Sequence, residues 1–185
     1  DDLKHCTLKV IAEIEDGTLE TRTIEIPNPP LWWPNGAGEQ KLYTYTVDIR
    51  NQKLTRRIGL RKLEVDTKGG AMAFRVNNRT LFMKGANWIP CDAFENRQTP
   101  QRYRDLLESA AAANMNMIRV WGGGIYESNG FMEACDELGI MVWHDFMFAC
   151  ALYPAEGALL ESIRQEAIDN VKRLRNHPSI VVWCG

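Results

Sequence analysis

Apolar and polar residues alternate through the first third of the chain. Leu8, Val10, Ala12 and Ile14 interleave with Lys9 and Glu13, Asp16-Gly17 supplies a turn, and Ile24 and Ile26 resume the rhythm. Tyr43, Tyr45, Val47 and Ile49 alternate in the same way with Thr44, Thr46, Asp48 and Arg50. A period of two marks a strand with one buried face, so this stretch predicts antiparallel β structure. Phe74 to Phe82 reads as two further short strands about Asn77-Asn78. Strands joined by turn signals, with no helical stretch between them, predict a small Ig-like β-sandwich over residues 1–66.

The period then changes. Thr99 is a candidate N-cap before Pro100, and Tyr103, Leu106, Leu107, Ala110 and Ala111 form one apolar helical face. A strand follows over Met117 to Trp121, then a loop with Gly122, Gly123 and Gly124, then a helix with Phe131, Ala134, Cys135 and Leu138 on one side and Gly139 at its end. Ile140 to Phe146 reads as the next strand. Leu160, Ile163, Ala167, Val171 and Leu174 line a longer helix, and Ile180 to Cys184 forms the last strand. With Leu81 to Asn87 as the first, four strands joined by helical crossovers predict a parallel sheet over residues 67–185. Periodicity alone leaves two architectures open, half of an eight-stranded barrel or a doubly wound sheet.

Composition narrows the function classes. With 22 Lys and Arg against 24 Asp and Glu, the net charge of -2 offers no basic field for nucleic acid or an acidic membrane surface. No apolar run approaches the roughly 20 residues of a bilayer span, so no membrane partner is expected. A soluble protein of the bacterial periplasm or cytoplasm is the expectation. The five cysteines lack C-x-x-C spacing and have no His at ligand distance, which predicts free, buried thiols, no metal and no cofactor.

In either architecture ligand chemistry gathers at the C-terminal ends of the strands. Those ends carry Asn87 and Trp88, Arg119 and Trp121, Asp145, and Trp183-Cys184-Gly185. Alternation puts Arg119 and Trp121 on one face, with Ile118 and Val120 on the other. A charge inside an apolar strand is costly unless paired, so Arg119 either holds a carboxylate in a site or sits in a structural ion pair. Trp88 and Trp121, with an amide and a guanidinium beside them, suit a sugar, whose apolar faces stack on rings while polar groups bind its hydroxyls.

Two other readings of the same residues stand beside this one. A nucleotide-binding α/β enzyme would use the glycine run as a phosphate cradle and Asp145, about 20 residues on, for a ribose. Against that, Glu127 falls where G-x-G-x-x-G requires its last glycine. A non-catalytic carbohydrate-binding module would use the sandwich and the tryptophan-rich edge. The aromatic stretch "LWWPNG" (31–36) reads as a turn packed between two domains, because Pro34, Asn35 and Gly36 are turn formers. Glu127, Glu156 and Glu161 are expected in solvated or helix-start positions.

Five ordered segments carry a resemblance that covers essentially the whole chain. "LWWPNGAGEQKLY" (31–43), "KGANWIP" (84–90), "NMNMIRVWGGGIYE" (114–127), "WHDFMFACALYP" (143–154) and "RLRNHPSIVVWCG" (173–185) resemble glycoside hydrolase family 2, and within it the β-mannosidase branch. The resemblance implies an Ig-like sandwich followed by the first four βα units of a TIM barrel, and a retaining glycosidase cleaving terminal β-mannosidic bonds. Its partner would be a carbohydrate, a β-mannoside or a mannose-containing oligosaccharide. By matched position Arg119 would orient the nucleophile, Trp121 would shape the glycone subsite, and Asn87, Trp88 and Asp145 would support them. The acid/base glutamate is expected just after Gly185 and the nucleophile on a later strand, so both catalytic acids are expected outside these 185 residues and the isolated chain is expected to be inactive. A jelly-roll domain is expected before the sandwich. The open strand edges of half a barrel predict self-association. One departure is His144, where the family more usually has glutamine; strand parity turns it away from Asp145, as a packing residue.

Overall fold

The computed structural model describes residues 3–13, 18–49, 52–70 and 72–185. Strands β1 (His5–Glu13) and β2 (Leu19–Pro27) pair antiparallel from His5 opposite Pro27 to Glu13 opposite Leu19. The predicted turn at Asp16-Gly17 lies outside the described residues. Strands β3 (Tyr43–Ile49) and β4 (Gln52–Ile58) form a second hairpin. Strands β5 (Leu63–Asp66), β6 (Ala73–Val76) and β7 (Arg79–Leu81) make a three-stranded antiparallel sheet. Asn77 and Asn78 turn β6 into β7 with φ of 49° and 67°, the double left-handed conformation of a tight hairpin turn that asparagine tolerates.

The alternation therefore forms strands where expected, yet the sandwich is not closed among the described residues. Each of the first two hairpins is its own two-stranded sheet. Ile11, Leu19, Ile24 and Leu54 stay 46–62% exposed, while Leu8, Val10 and Ala12 of β1 are half-buried, so the two hairpins bury their apolar residues only in part.

The second half is a parallel sheet in the order β11-β10-β9-β8, formed by β8 (Gly85–Trp88), β9 (Met117–Val120), β10 (Met141–Asp145) and β11 (Ile180–Cys184). Helices α1 (Pro100–Ala112), α2 (Asn129–Leu138) and α3 (Gly157–Leu174) make the crossovers. Thr99 caps α1 by accepting from the Arg102 amide, and Gly139 ends α2 at φ 72°. The first strand starts later than the predicted Leu81. Leu81 pairs antiparallel with Phe74, and pairing with β9 begins at Gly85, where a Cβ would lie 1.7 Å from the Met117 carbonyl oxygen. Of the five cysteines, all free, Cys135 is buried and Cys150 is exposed, so burial does not extend to all of them.

Alternation sorts two cores onto the two sides of this sheet. Ile118, Val120, Val142 and Ile180 pack on Leu107, Phe131, Met132, Cys135 and Leu174 of the helices. Met117, Met141 and Val181 point the other way, onto Trp32, Phe74 and Val76. The N-terminal segment thus covers the lower part of the second face and leaves its C-terminal edge open.

The predicted "LWWPNG" turn is the seam. Trp32 is fully buried and its indole N–H donates to the Asp136 carbonyl at 2.8 Å. The Asn35 amide donates to the carbonyls of Ala111 and Met115 at 3.0 and 2.9 Å, and the Asn35 backbone N–H to Gly139. The Asp136 carboxylate, itself buried, accepts from the Ser179 amide at 3.0 Å, the Ser179 hydroxyl at 2.6 Å and the His177 ring at 2.6 Å. Arg61 donates to the carbonyls of Pro178 and Ile180, and burial lowers its pKa to about 10. Replacing Asp136 with Ala leaves these buried donors unpaired and is expected to cost about 3 kcal/mol in urea denaturation. A loss under about 1 kcal/mol would show that the seam does not depend on this carboxylate.

Candidate functional site

The open edge is built from two in-register parallel strands. Val120 and His144 are paired at the ends of β9 and β10, which brings Arg119 and Asp145 within reach on the uncovered face. Arg119 Nε donates to Asp145 Oδ1 at 3.1 Å and Nη2 to Oδ2 at 2.7 Å, a two-point contact in which both guanidinium and carboxylate planes are used. The Asp145 side chain is nearly buried, 8% exposed, while the Arg119 side chain is 42% exposed. Hydrogen bonding to Asp145 raises the Arg119 pKa further, and the guanidinium is a permanent cation. Of the alternatives for Arg119, the ion pair is present, and it stands at the strand ends.

Asn87 pairs in register with Arg119, and both line an open pocket of about 330 Å³ together with Met83, Gly85, Ala86 and Met117. Gly122 N–H donates to Asp145 Oδ2 at 3.1 Å. The glycine run follows from crowding. A Cβ on Gly122 would lie 2.5 Å from the Phe146 carbonyl oxygen, one on Gly123 2.1 Å from Trp121 Cη2, and one on Gly124 2.9 Å from Pro90. Trp121 therefore folds its half-buried ring over its own loop, and the Gly122 amide that a phosphate would need is committed to a carboxylate.

Trp88 goes elsewhere. Asn87 and Trp88 are consecutive in β8 and project to opposite faces, so Trp88 enters the helix-side core, its ring 4.9 Å from that of Phe131 and 6.4 Å from that of Tyr103. Its indole N–H donates to Glu127 Oε1 at 2.8 Å. Glu127 lies just before the Ser128 N-cap of α2, close to the expected helix start, but it is fully buried rather than solvated. Burial pushes its carboxyl above the usual value of 4.5, while the hydrogen bond from Trp88 and the nearby Tyr103 hydroxyl and Ser128 amide hold it back. Glu156 and Glu161 are exposed, as expected.

His144 also faces away from the Asp145 carboxylate, as parity predicts. It is fully buried, stacked on Tyr126 at 5.6 Å and tilted 32° against Trp183 at 5.3 Å. Burial lowers its pKa, opposed by its hydrogen bond to the Asp145 carbonyl. Among the described residues no three His, Cys, Asp or Glu side chains gather as a metal ion would require, and no helix is long and apolar enough to cross a membrane.

The Glu127 geometry has a pH signature. A carboxyl whose folded pKa is raised stabilises the fold below its ordinary value of 4.5, and that contribution is lost as pH rises through the folded value. Glu127→Gln keeps an acceptor for the Trp88 indole and cannot ionise. In melts from pH 5 to 8 the Gln variant is expected to gain on the parent protein as pH rises; a difference that stays constant would contradict a raised carboxyl.

Comparison with known proteins supports a lineage. Residues 3–61 match the family described as Glycosyl hydrolases family 2. The chain is 46% identical over 179 residues to Beta-mannosidase B of Emericella nidulans and 50% identical over 183 residues to Beta-mannosidase B of Thermothelomyces thermophilus, covering 92% of this chain and 21% of the relative in each case. The crystal structure of β-D-mannosidase from Dictyoglomus thermophilum superposes with a TM-score of 0.85 at 50% identity, over 91% of this chain and 22% of that one. The exo-chitosanase CsxA of Amycolatopsis orientalis, at 21% identity and a TM-score of 0.74, shares the fold. The chain spans about a fifth of the length of the curated relatives it matches. On this footing the chain belongs to glycosyl hydrolases family 2, as a segment akin to the β-mannosidases.

Proposed function

We propose that the chain is part of a longer retaining glycosidase that removes terminal β-linked mannose, with an Ig-like sandwich domain over residues 1–66 and the first half of a TIM-barrel catalytic domain over 67–185. The observation that carries the reading is the Arg119–Asp145 pair on the uncovered strand-end face, with Asn87 beside it. The names of the similar proteins supply the substrate class.

Retaining glycosidases place two carboxyl groups about 5–5.5 Å apart across the scissile bond. Asp145 and Glu127, the buried carboxyls near this edge, are directed to opposite sides of the sheet, so they do not flank one bond. In this proposal the catalytic pair comes from other parts of the longer protein. Arg119 then presents donors to the nucleophile and holds it ionised, and Trp121 closes one side of the mannose subsite. Asp145 keeps the guanidinium at a fixed angle, and its contact with Gly122 ties the pair to the loop that carries Trp121.

Among the described residues strands β8 and β11 each have a single hydrogen-bonded neighbour, which favours association of the isolated chain through its edges. The functional reading is tested by assaying the longer protein and the 185-residue chain on aryl β-mannoside, β-galactoside and β-glucoside. The longer protein is expected to prefer the mannoside and the chain alone to hydrolyse none. Preference for galactoside would overturn the substrate, and turnover by the chain alone would overturn the placement of the acids.

A further inference from the structure

The Asp145–Arg119 pair is aimed by a strand end whose ladder has run out on one side. Pairing of β10 with β9 stops at His144 opposite Val120, and Asp145 is paired with Cys184 of β11 alone. The direction of the Asp145 side chain is set by its own backbone, so whatever holds that peptide also aims the carboxylate. His144 Nδ1 lies 2.7 Å from the Asp145 carbonyl oxygen. A carbonyl can only accept, so Nδ1 carries a proton, and because burial and the Arg173 charge disfavour the imidazolium, Nε2 carries the lone pair.

Two aromatic rings hold the imidazole. Tyr126, in the loop between β9 and α2, stacks on it at 18°, and Trp183 of β11 packs against it at 32°. Tyr126 is itself fixed: its hydroxyl donates to Glu166 Oε1 of α3 at 2.9 Å and accepts from the Met147 amide, just past β10, at 3.3 Å. His144 Nε2 has no hydrogen-bond partner among the described residues. A ring that leaves a buried acceptor unsatisfied in order to keep one donor in place is held for that donor.

We propose that His144, as the Nδ1–H tautomer, is a positioning residue that locks the last peptide of β10 and through it the Asp145–Arg119 pair. This rests on the reading of that pair as part of a glycosidase pocket and deepens it: packing on the helix side of the sheet sets the aim of a group on the open side. The charged groups around the ring are Asp145 on its own strand, Glu166 and Arg173 of α3, and Glu127 at the end of the Tyr126 loop. Arg173 donates to the Glu127 carbonyl at 2.9 Å, which brings its positive charge to this side and opposes a second one on the imidazole.

The test compares His144→Phe, which keeps a stacking ring without a donor, with His144→Gln, which restores an N–H. In the unsubstituted protein, imidazole ¹⁵N shifts are expected to show Nδ1 protonated and Nε2 unprotonated between pH 6 and 8. Exchange of the Arg119 Nε–H is expected to quicken roughly five- to tenfold in the Phe variant and to recover in the Gln variant. In the longer protein the Phe variant is expected to lose kcat by about 10- to 100-fold with KM little changed. An Nε2–H tautomer, or Arg119 exchange that the Phe variant leaves unaltered, overturns the proposal. The tautomer is read without a substitution, so it decides even if the Phe variant does not fold. The ¹⁵N measurements need no turnover: if they hold while the longer protein lacks glycosidase activity, the functional reading fails and the positioning role stands.

Discussion

A β-strand can show a charge to one side only when its other side is committed to something apolar, and β9 is built on that division. Ile118 and Val120 are 4% and 2% exposed against the helices, and Arg119 between them has no choice but the opposite face. The same division in β10 sends Val142 and His144 to the helices and Asp145 to the open side. Two adjacent parallel strands in register then bring cation and carboxylate to two-point contact. Packing of the N-terminal segment on the same face, through Trp32, Phe74 and Val76, covers the lower layer and leaves the upper one open.

The helix side of the sheet is more than filling. Two of its buried titratable groups sit directly below a strand-end element: Glu127 under Trp88 at the end of β8, and His144 under the last peptide of β10. Burial disfavours the charged form of each, and each uses one hydrogen bond to hold a neighbour. Precision on the open face is thus built from the closed face, at the expense of desolvating polar groups that an apolar core would omit.

Much of this was legible in the residues. Thr99, Pro100, Gly139 and the Asn77-Asn78 pair mark their caps and turns by local chemistry, which needs no knowledge of the fold. Parity put Arg119 and Asp145 at the strand ends and His144 behind them. The same rule, applied strictly, separates Asn87 from Trp88, since consecutive strand residues cannot share a face; the attraction of tryptophan for a sugar site obscured that. Glu127 carried no such signal, because its partner Trp88 is 39 residues away in sequence and burial of an acid is decided by tertiary packing. Nor could alternation reveal that the first hairpins would form separate two-stranded sheets, since a strand pattern states that one face seeks cover without stating what covers it.

The central claim is that Arg119 and Asp145 act as one unit in a sugar-cleaving pocket. It is tested most directly by a double-mutant cycle in the longer protein, using Arg119→Lys, Asp145→Asn and the pair, read as binding of a mannose-configured transition-state analogue. The account predicts strong non-additivity, with the double variant losing about as much affinity as the worse single one. Losses that simply add, or binding that neither substitution changes, would contradict it.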